Sequence, residues 1–181
     1  MKGCRPLTTN EMAEVATVLG AGHNGVRNQC LFTLGLMTGF RVSELLSIRV
    51  EDVVQHGNLA SAVTVARRNM KGKGEGRTVR LNEKAQIALA LWLDVGPETG
   101  PLFQISRVQV WRILNKAFAT IGMTGKLGTH CMRKTFADRI YDHFDGELIK
   151  VQKALGHKWV TTTSAYISFK QEDIDEAIDA L

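Results

Sequence analysis

The chain has 181 residues, 44% of them hydrophobic and 23% charged, which is enough apolar material for one core and too little length for several domains. Its formal charge of +5 suits a polyanionic partner without requiring one, because an excess of this size also occurs in proteins that bind nothing acidic. The three cysteines, Cys4, Cys30 and Cys131, lack paired spacing, which argues against a disulfide scaffold or structural zinc and for a reducing compartment. No apolar run approaches the roughly 20 residues of a membrane span, and "MKGCRPLTTNEM" carries no apolar signal core, so a cytoplasmic protein with no membrane attachment is expected.

In chain order, Thr8 with Glu11 forms a capping box that opens a helix to about Leu19. From Asn24 to Thr38, Val26, Cys30, Leu34 and Met37 recur near helical period, and Gly39 is placed to end the helix. A short helical turn is predicted over Ser43 to Ile48. From Ala62, "AVTVARRN" and "GRTVRL" are short and β-branched, and the Gly-rich "MKGKGEG" between them predicts an antiparallel hairpin. Asn82 caps a helix through about Leu93, and "VGPETGP" breaks it. Ser106 caps another through about Ile121, with Val110, Ile113, Leu114 and Phe118 as the buried stripe. Three shorter helices are expected near Thr129 to Phe144, Gly146 to Leu155 and Thr161 to Ser168, then an amphipathic one in "KQEDIDEAIDAL". The expected class is mainly α with one small antiparallel sheet.

Several residues invite a chemical reading beside a structural one. His130 and Arg133 in "GTHCMRKTFADRI" lie three apart on a helix and can face one cluster of ligand atoms; the plainer alternative is a buried histidine beside a surface arginine. Arg41 follows an apolar helix and a glycine, an odd place for a guanidinium unless an anion meets it there. Its planar fork of donors grips two oxygens of one phosphate, which lysine cannot imitate. Lys71 and Lys73 sit on the hairpin turn, where charged residues are commonly just solvated. His157 follows Gly156, a helix terminator, and one role open to it is capping the preceding carbonyls. Tyr166 stands behind Thr161, Thr162, Thr163 and Ser164, a neighbourhood too polar for simple core packing, whereas Tyr141 has Phe136, Ile140 and Phe144 close by and reads as packing.

In order and spacing these residues resemble the catalytic set of the tyrosine recombinase family, also called phage integrases. The likeness rests on "TGFRVSELL", on a hairpin lysine followed by "GRTVRL", on the HxxR of His130 and Arg133 continuing as "KTFA", and on "LGH" with a tyrosine nine residues after the histidine. It runs from about Leu7 to the end and corresponds to that family's catalytic domain, so residues 1–181 are expected to form one catalytic domain without the helical DNA-clamping domain that precedes it in full-length relatives. The resemblance implies Tyr166 as nucleophile, His130 as acceptor of its proton, Arg41 and Arg133 as neutralisers of charge at phosphorus, and His157 as a hydrogen-bond donor to a nonbridging oxygen. It implies a hairpin lysine as general acid for the departing 5′ oxygen. Family members commonly end the second strand in "VPL", and counting back from Leu81 lands on Gly72, between Lys71 and Lys73; Lys71, at the end of the first strand, is preferred.

The implied reaction passes through a 3′-phosphotyrosine link and needs neither ATP nor metal, and no cofactor is expected. Double-stranded DNA is the implied partner, with a tetrameric synapse on DNA and a nucleoid-associated location. The stripe Ile174, Ala177, Ile178 and Leu181 is free to pack on its own core or on a neighbouring subunit. Two other functions use the same residues: relaxation of supercoils by a type IB topoisomerase, and DNA binding by a catalytically silent protein of the same fold.

Overall fold

The computed structural model describes residues 3–65, 76–167, 175, 176 and 178–180. Nine helices and four strands are found among them. In order they are α1 (Thr9–Gly20), α2 (Gly25–Thr38), α3 (Val42–Leu45), α4 (Val50–Val53), β1 (Val54–Gln55), β2 (Asn58–Leu59), β3 (Ala62–Val65), β4 (Arg77–Arg80), α5 (Glu83–Val95), α6 (Arg107–Thr120), α7 (His130–His143), α8 (Leu148–Leu155) and α9 (Val160–Ser164). The expected caps are present: Thr8 with Glu11 on α1, Asn82 on α5, and Ser106 with Gln109 on α6 each satisfy helix N–H groups that have no intrahelical partner.

Helix α2 is the hub and packs against α1, α5 and α7. Being covered from several sides, it buries Cys30, Leu31, Phe32, Leu34 and Leu36, which is why a single stripe described it incompletely. Val26 of the predicted stripe is 41% exposed, because the first turn of α2 reaches beyond the edge of the core. Close approach of α2 to α7 depends on Gly35: a Cβ there would lie 2.5 Å from the Met132 sulfur. A smaller apolar cluster of Ala137, Val151, Leu155 and Ile167 lies between α7, α8 and the segment after α9, with Tyr141 and Tyr166 packed against it. Tyr141 is therefore a packing residue, as expected. Tyr166 departs from expectation by having apolar company.

The hairpin β3–β4 is antiparallel, with Val63 opposite Val79 and Val65 opposite Arg77. Its turn, including Lys71 and Lys73, lies outside the described residues. So do Ile174, Ala177 and Leu181 of the final stripe, whose remaining member Ile178 is exposed. One sheet was expected and two are present among the described residues, the second being the β1–β2 hairpin turned by His56 and Gly57, both at positive φ. Two-residue strands are too short to show alternation, so only His-Gly marked that turn. The helix α9 is shorter than the predicted Thr161 to Ser168 and is followed by a turn at Ala165.

Gly39 ends α2 at φ 61°, and a Cβ there would lie 2.3 Å from the Phe136 ring. We predict that Gly39→Ala lowers stability by about 2–4 kcal/mol, combining left-handed strain with overpacking. Gly22→Ala, at φ 84° but in open space, should cost only about 1 kcal/mol. Urea denaturation of both variants checks this, and equal losses would contradict it.

Candidate active site

The site is assembled from the ends of elements. Arg41 stands two residues after the C-cap of α2 and directly before α3, and Arg133 lies in the first turn of α7. His157 follows Gly156, the left-handed C-cap of α8, and Tyr166 lies just past α9. These four groups come together. Nη1 of Arg41 lies 2.6 Å from Oε1 of Glu44, and Nη1 of Arg133 lies 3.8 Å from Oε2 of the same carboxylate. The guanidinium carbon of Arg133 sits 5.6 Å from the centroid of the Tyr166 ring, and the His157 and Tyr166 ring centroids are 5.1 Å apart.

Arg133 is fully buried, whereas His130 is exposed at the start of α7, the reverse of a buried histidine beside a surface arginine. His130 shares a cavity of about 340 Å³ with Tyr166, Lys126 and Lys134, so the first-turn histidine and the tyrosine face one space. Arg133 donates from Nη1 to the Gly39 carbonyl at 2.5 Å and from Nη2 to the Leu155 carbonyl at 2.8 Å. Nη2 also meets Nε2 of His157 at 2.9 Å. His157 does not cap α8 with its imidazole. Its backbone N–H bonds the Gln152 carbonyl, and the ring turns to Arg133 on one side and, through Nδ1, to Oγ1 of Thr163 at 3.0 Å on the other.

Three further residues belong to this constellation and were not singled out from sequence. Glu44 is buried and accepts both the Arg41 backbone N–H, at 2.8 Å, and its guanidinium. An acid at the third position of a helix was the available signal. Arg77 is buried on the inner face of β4, where it bonds the carbonyls of Leu155 and Thr38 and covers the Phe40 ring at 4.7 Å. Strand alternation could have found it, since Val79 facing inward obliges Arg77 to do the same. Thr163, in the threonine run, is fully buried. Its partner His157 is only six residues away, but the pairing crosses the turn between α8 and α9 and no local signal announces it.

Burial, then the charge of Arg41, holds Arg133 down at about 10; burial, then the charge of Arg133, holds Arg77 down at about 9. Both remain cations at neutral pH. Burial, followed by the charges of Arg133, Arg41 and Arg77, pushes the His157 imidazole down to about 3 and keeps it neutral. Three guanidinium groups around one carboxylate leave a local excess of positive charge, which an anionic oxygen would complement.

The family model for the phage integrase family matches residues 5–172, and the chain belongs to that family. It is 30% identical over 166 residues to tyrosine recombinase XerC of Caldanaerobacter subterraneus subsp. tengcongensis, covering 84% of this chain and 44% of that relative. The fold superposes on the XerH site-specific recombinase in a post-cleavage complex with palindromic difH substrate, at a TM-score of 0.76 and 23% identity, over 98% of this chain and 53% of that one. It also superposes on the Tn1549 transposon integrase in complex with a circular intermediate DNA, at 0.74 and 18%, over 100% of this chain and 67% of that one. The fold is that of the tyrosine recombinase catalytic domain. The chain spans about half the length of the curated relatives it matches.

The depressed His157 gives a prediction for stability. In the unfolded chain an ordinary histidine takes up a proton near pH 6.5, and the folded site refuses it until about pH 3. The unfolded state therefore binds more protons in that window, so stability is complete above pH 6.5 and falls as acid is added. His157→Gln should flatten the fall between pH 6.5 and 5 in urea titrations; an unchanged slope would contradict the assignment.

Proposed function

We propose that this chain is the catalytic domain of a site-specific DNA recombinase, which cuts one strand by attack of Tyr166 on a phosphodiester and rejoins it to another 5′ hydroxyl. The observation that carries the reading is the meeting of Arg41 and Arg133 on one carboxylate, with the Arg133 guanidinium 5.6 Å from the centroid of the Tyr166 ring. A phenol has a pKa of about 10 and needs a base as it attacks. His130 is the proposed acceptor of that proton, a role supported by its lining the same cavity as Tyr166. The phosphorus gains negative charge as the new bond forms, and the two arginines neutralise it. The phosphotyrosine link keeps the energy of the broken diester, so the second strand's hydroxyl reverses the step without ATP.

Lys71 is the proposed acid for the departing 5′ oxygen, with Lys73 as the competing residue on the same turn. DNA is the proposed partner, a tetramer on DNA the proposed working assembly, and the cytoplasmic nucleoid the proposed location. Relaxation of supercoils and catalytically silent DNA binding have no observation in their favour, and each relative named above is a recombinase or an integrase.

A nicked duplex that loses its downstream fragment on cleavage tests the reading, because the covalent adduct cannot religate. Wild type should accumulate adduct on a duplex from a mixed sequence pool, and Tyr166→Phe should give none. Arg133→Gln should slow cleavage about 100- to 1,000-fold, the range for loss of one donor to a developing anion. Adduct with Tyr166→Phe would sink the assignment.

A 5′ sulfur leaving group needs no proton, so it separates the two lysines. Lys71→Ala should be inactive on the oxygen substrate and restored on the sulfur one, while Lys73→Ala keeps most activity on both. The opposite pattern would assign the acid to Lys73.

A further inference from the structure

Thr163 is fully buried and touches both functional segments around it. Its Oγ1 lies 3.0 Å from Nδ1 of His157, and its carbonyl accepts the Tyr166 N–H at 2.8 Å. On the far side of the imidazole, Nε2 meets Nη2 of Arg133 at 2.9 Å. A guanidinium offers donors only, so Nε2 is the unprotonated nitrogen and the ring proton sits on Nδ1, donated to the threonine hydroxyl. A ring in that tautomer has no N–H left for an incoming anion. Arg133 on α7, Arg41 before α3 and Arg77 on β4 all oppose a second proton on the ring. Gaining a donor by becoming an imidazolium is therefore disfavoured, and exchanging tautomers is not.

We propose that Thr163 is a positioning residue that lets His157 exchange tautomers as the phosphate enters. Nη2 of Arg133 turns to a phosphate oxygen, Nε2 takes up and keeps a proton from solvent and hydrogen-bonds through it to a second oxygen, and Nδ1 releases its proton to solvent. The threonine hydroxyl then rotates from acceptor to donor toward Nδ1. One proton arrives and one leaves, so the ring stays neutral with both nitrogens paired. Serine can perform this reversal. Valine, of the same shape, cannot, and it leaves one ring nitrogen buried and unpaired in either tautomer.

The inference rests on the recombinase reading of the site, and the experiment keeps the two apart. Nitrogen NMR of histidine-labelled Tyr166→Phe protein is recorded alone and with a nicked duplex that wild type has been shown to cleave. The expected spectra place the His157 proton on Nδ1 in the free protein and on Nε2 in the complex. In the Tyr166-containing background, Thr163→Val should slow cleavage about 10- to 100-fold, the loss expected when a buried group is deprived of its partner. Its affinity for the duplex should be unchanged, and Thr163→Ser should recover most of the rate. Failure of wild type to cleave any duplex sinks the recombinase reading and the switch with it. Wild-type cleavage together with an unchanged tautomer, an imidazolium in the complex, or a Thr163→Val protein as fast as wild type overturns the switch alone. If Thr163→Val does not fold, the spectra decide.

Discussion

Burying guanidinium groups is the constraint around which this end of the molecule is arranged. An unpaired buried cation is costly, and here Arg133 and Arg77 are buried beside the partly exposed Arg41 with Glu44 as the carboxylate at their centre. The remaining compensation comes from the His157 ring nitrogen and from backbone carbonyls. Thr38, Gly39 and Leu155 belong to the C-terminal ends of α2 and α8, where carbonyls have no intrahelical partner and the helix dipole is negative. Leu155 receives a donor from each arginine, so the two cations share one acceptor and are tied together by it.

The same helix ends deliver the other functional groups. Gly39 and Gly156 both adopt the left-handed conformation, at φ 61° and 64°, and let the chain turn away while their helices' last carbonyls point at the arginines. Arg41 comes two residues after the first of these caps and His157 one residue after the second. The geometry of the site is thus inherited from the packing of α2, α7 and α8 on the core, which is stiffer than any loop. Arg77 extends the tie to β4 and so to its antiparallel partner β3. Among the described residues, Nε of Arg133 and of Arg77 are buried without a hydrogen-bond partner, a sign that the positive charge here exceeds what these residues satisfy.

Much of this was legible in the residues themselves. Caps at Thr8, Asn82 and Ser106 and the terminating glycines at 39 and 156 placed the helix ends within a residue or two, because these signals are local hydrogen bonds and local φ angles. Arg41, His130, Arg133, His157 and Tyr166 were chosen from order and spacing, and the fold brings the last three and Arg41 into one cluster with His130 at its rim. What stayed hidden is tertiary. Which of His130 and Arg133 is buried depends on the approach of α7 to α2 at Gly35, and the partnership of Thr163 with His157 depends on how α9 folds back. Glu44 and Arg77 sit in stretches whose local signals are a helix start and a β-strand. Their burial is a property of the cluster and of no single segment.

The central claim is that Arg41 and Arg133 grip one phosphodiester beside Tyr166. Its most direct test is a crystal structure of the Tyr166→Phe protein on an uncleaved duplex. The account predicts nonbridging oxygens of a single phosphate within about 2.7–3.1 Å of donors from both guanidinium groups, with the ring of residue 166 aimed at that phosphorus. A phosphate held elsewhere, with Arg133 still bonded to Gly39, Leu155 and His157 and making no contact with it, would contradict it.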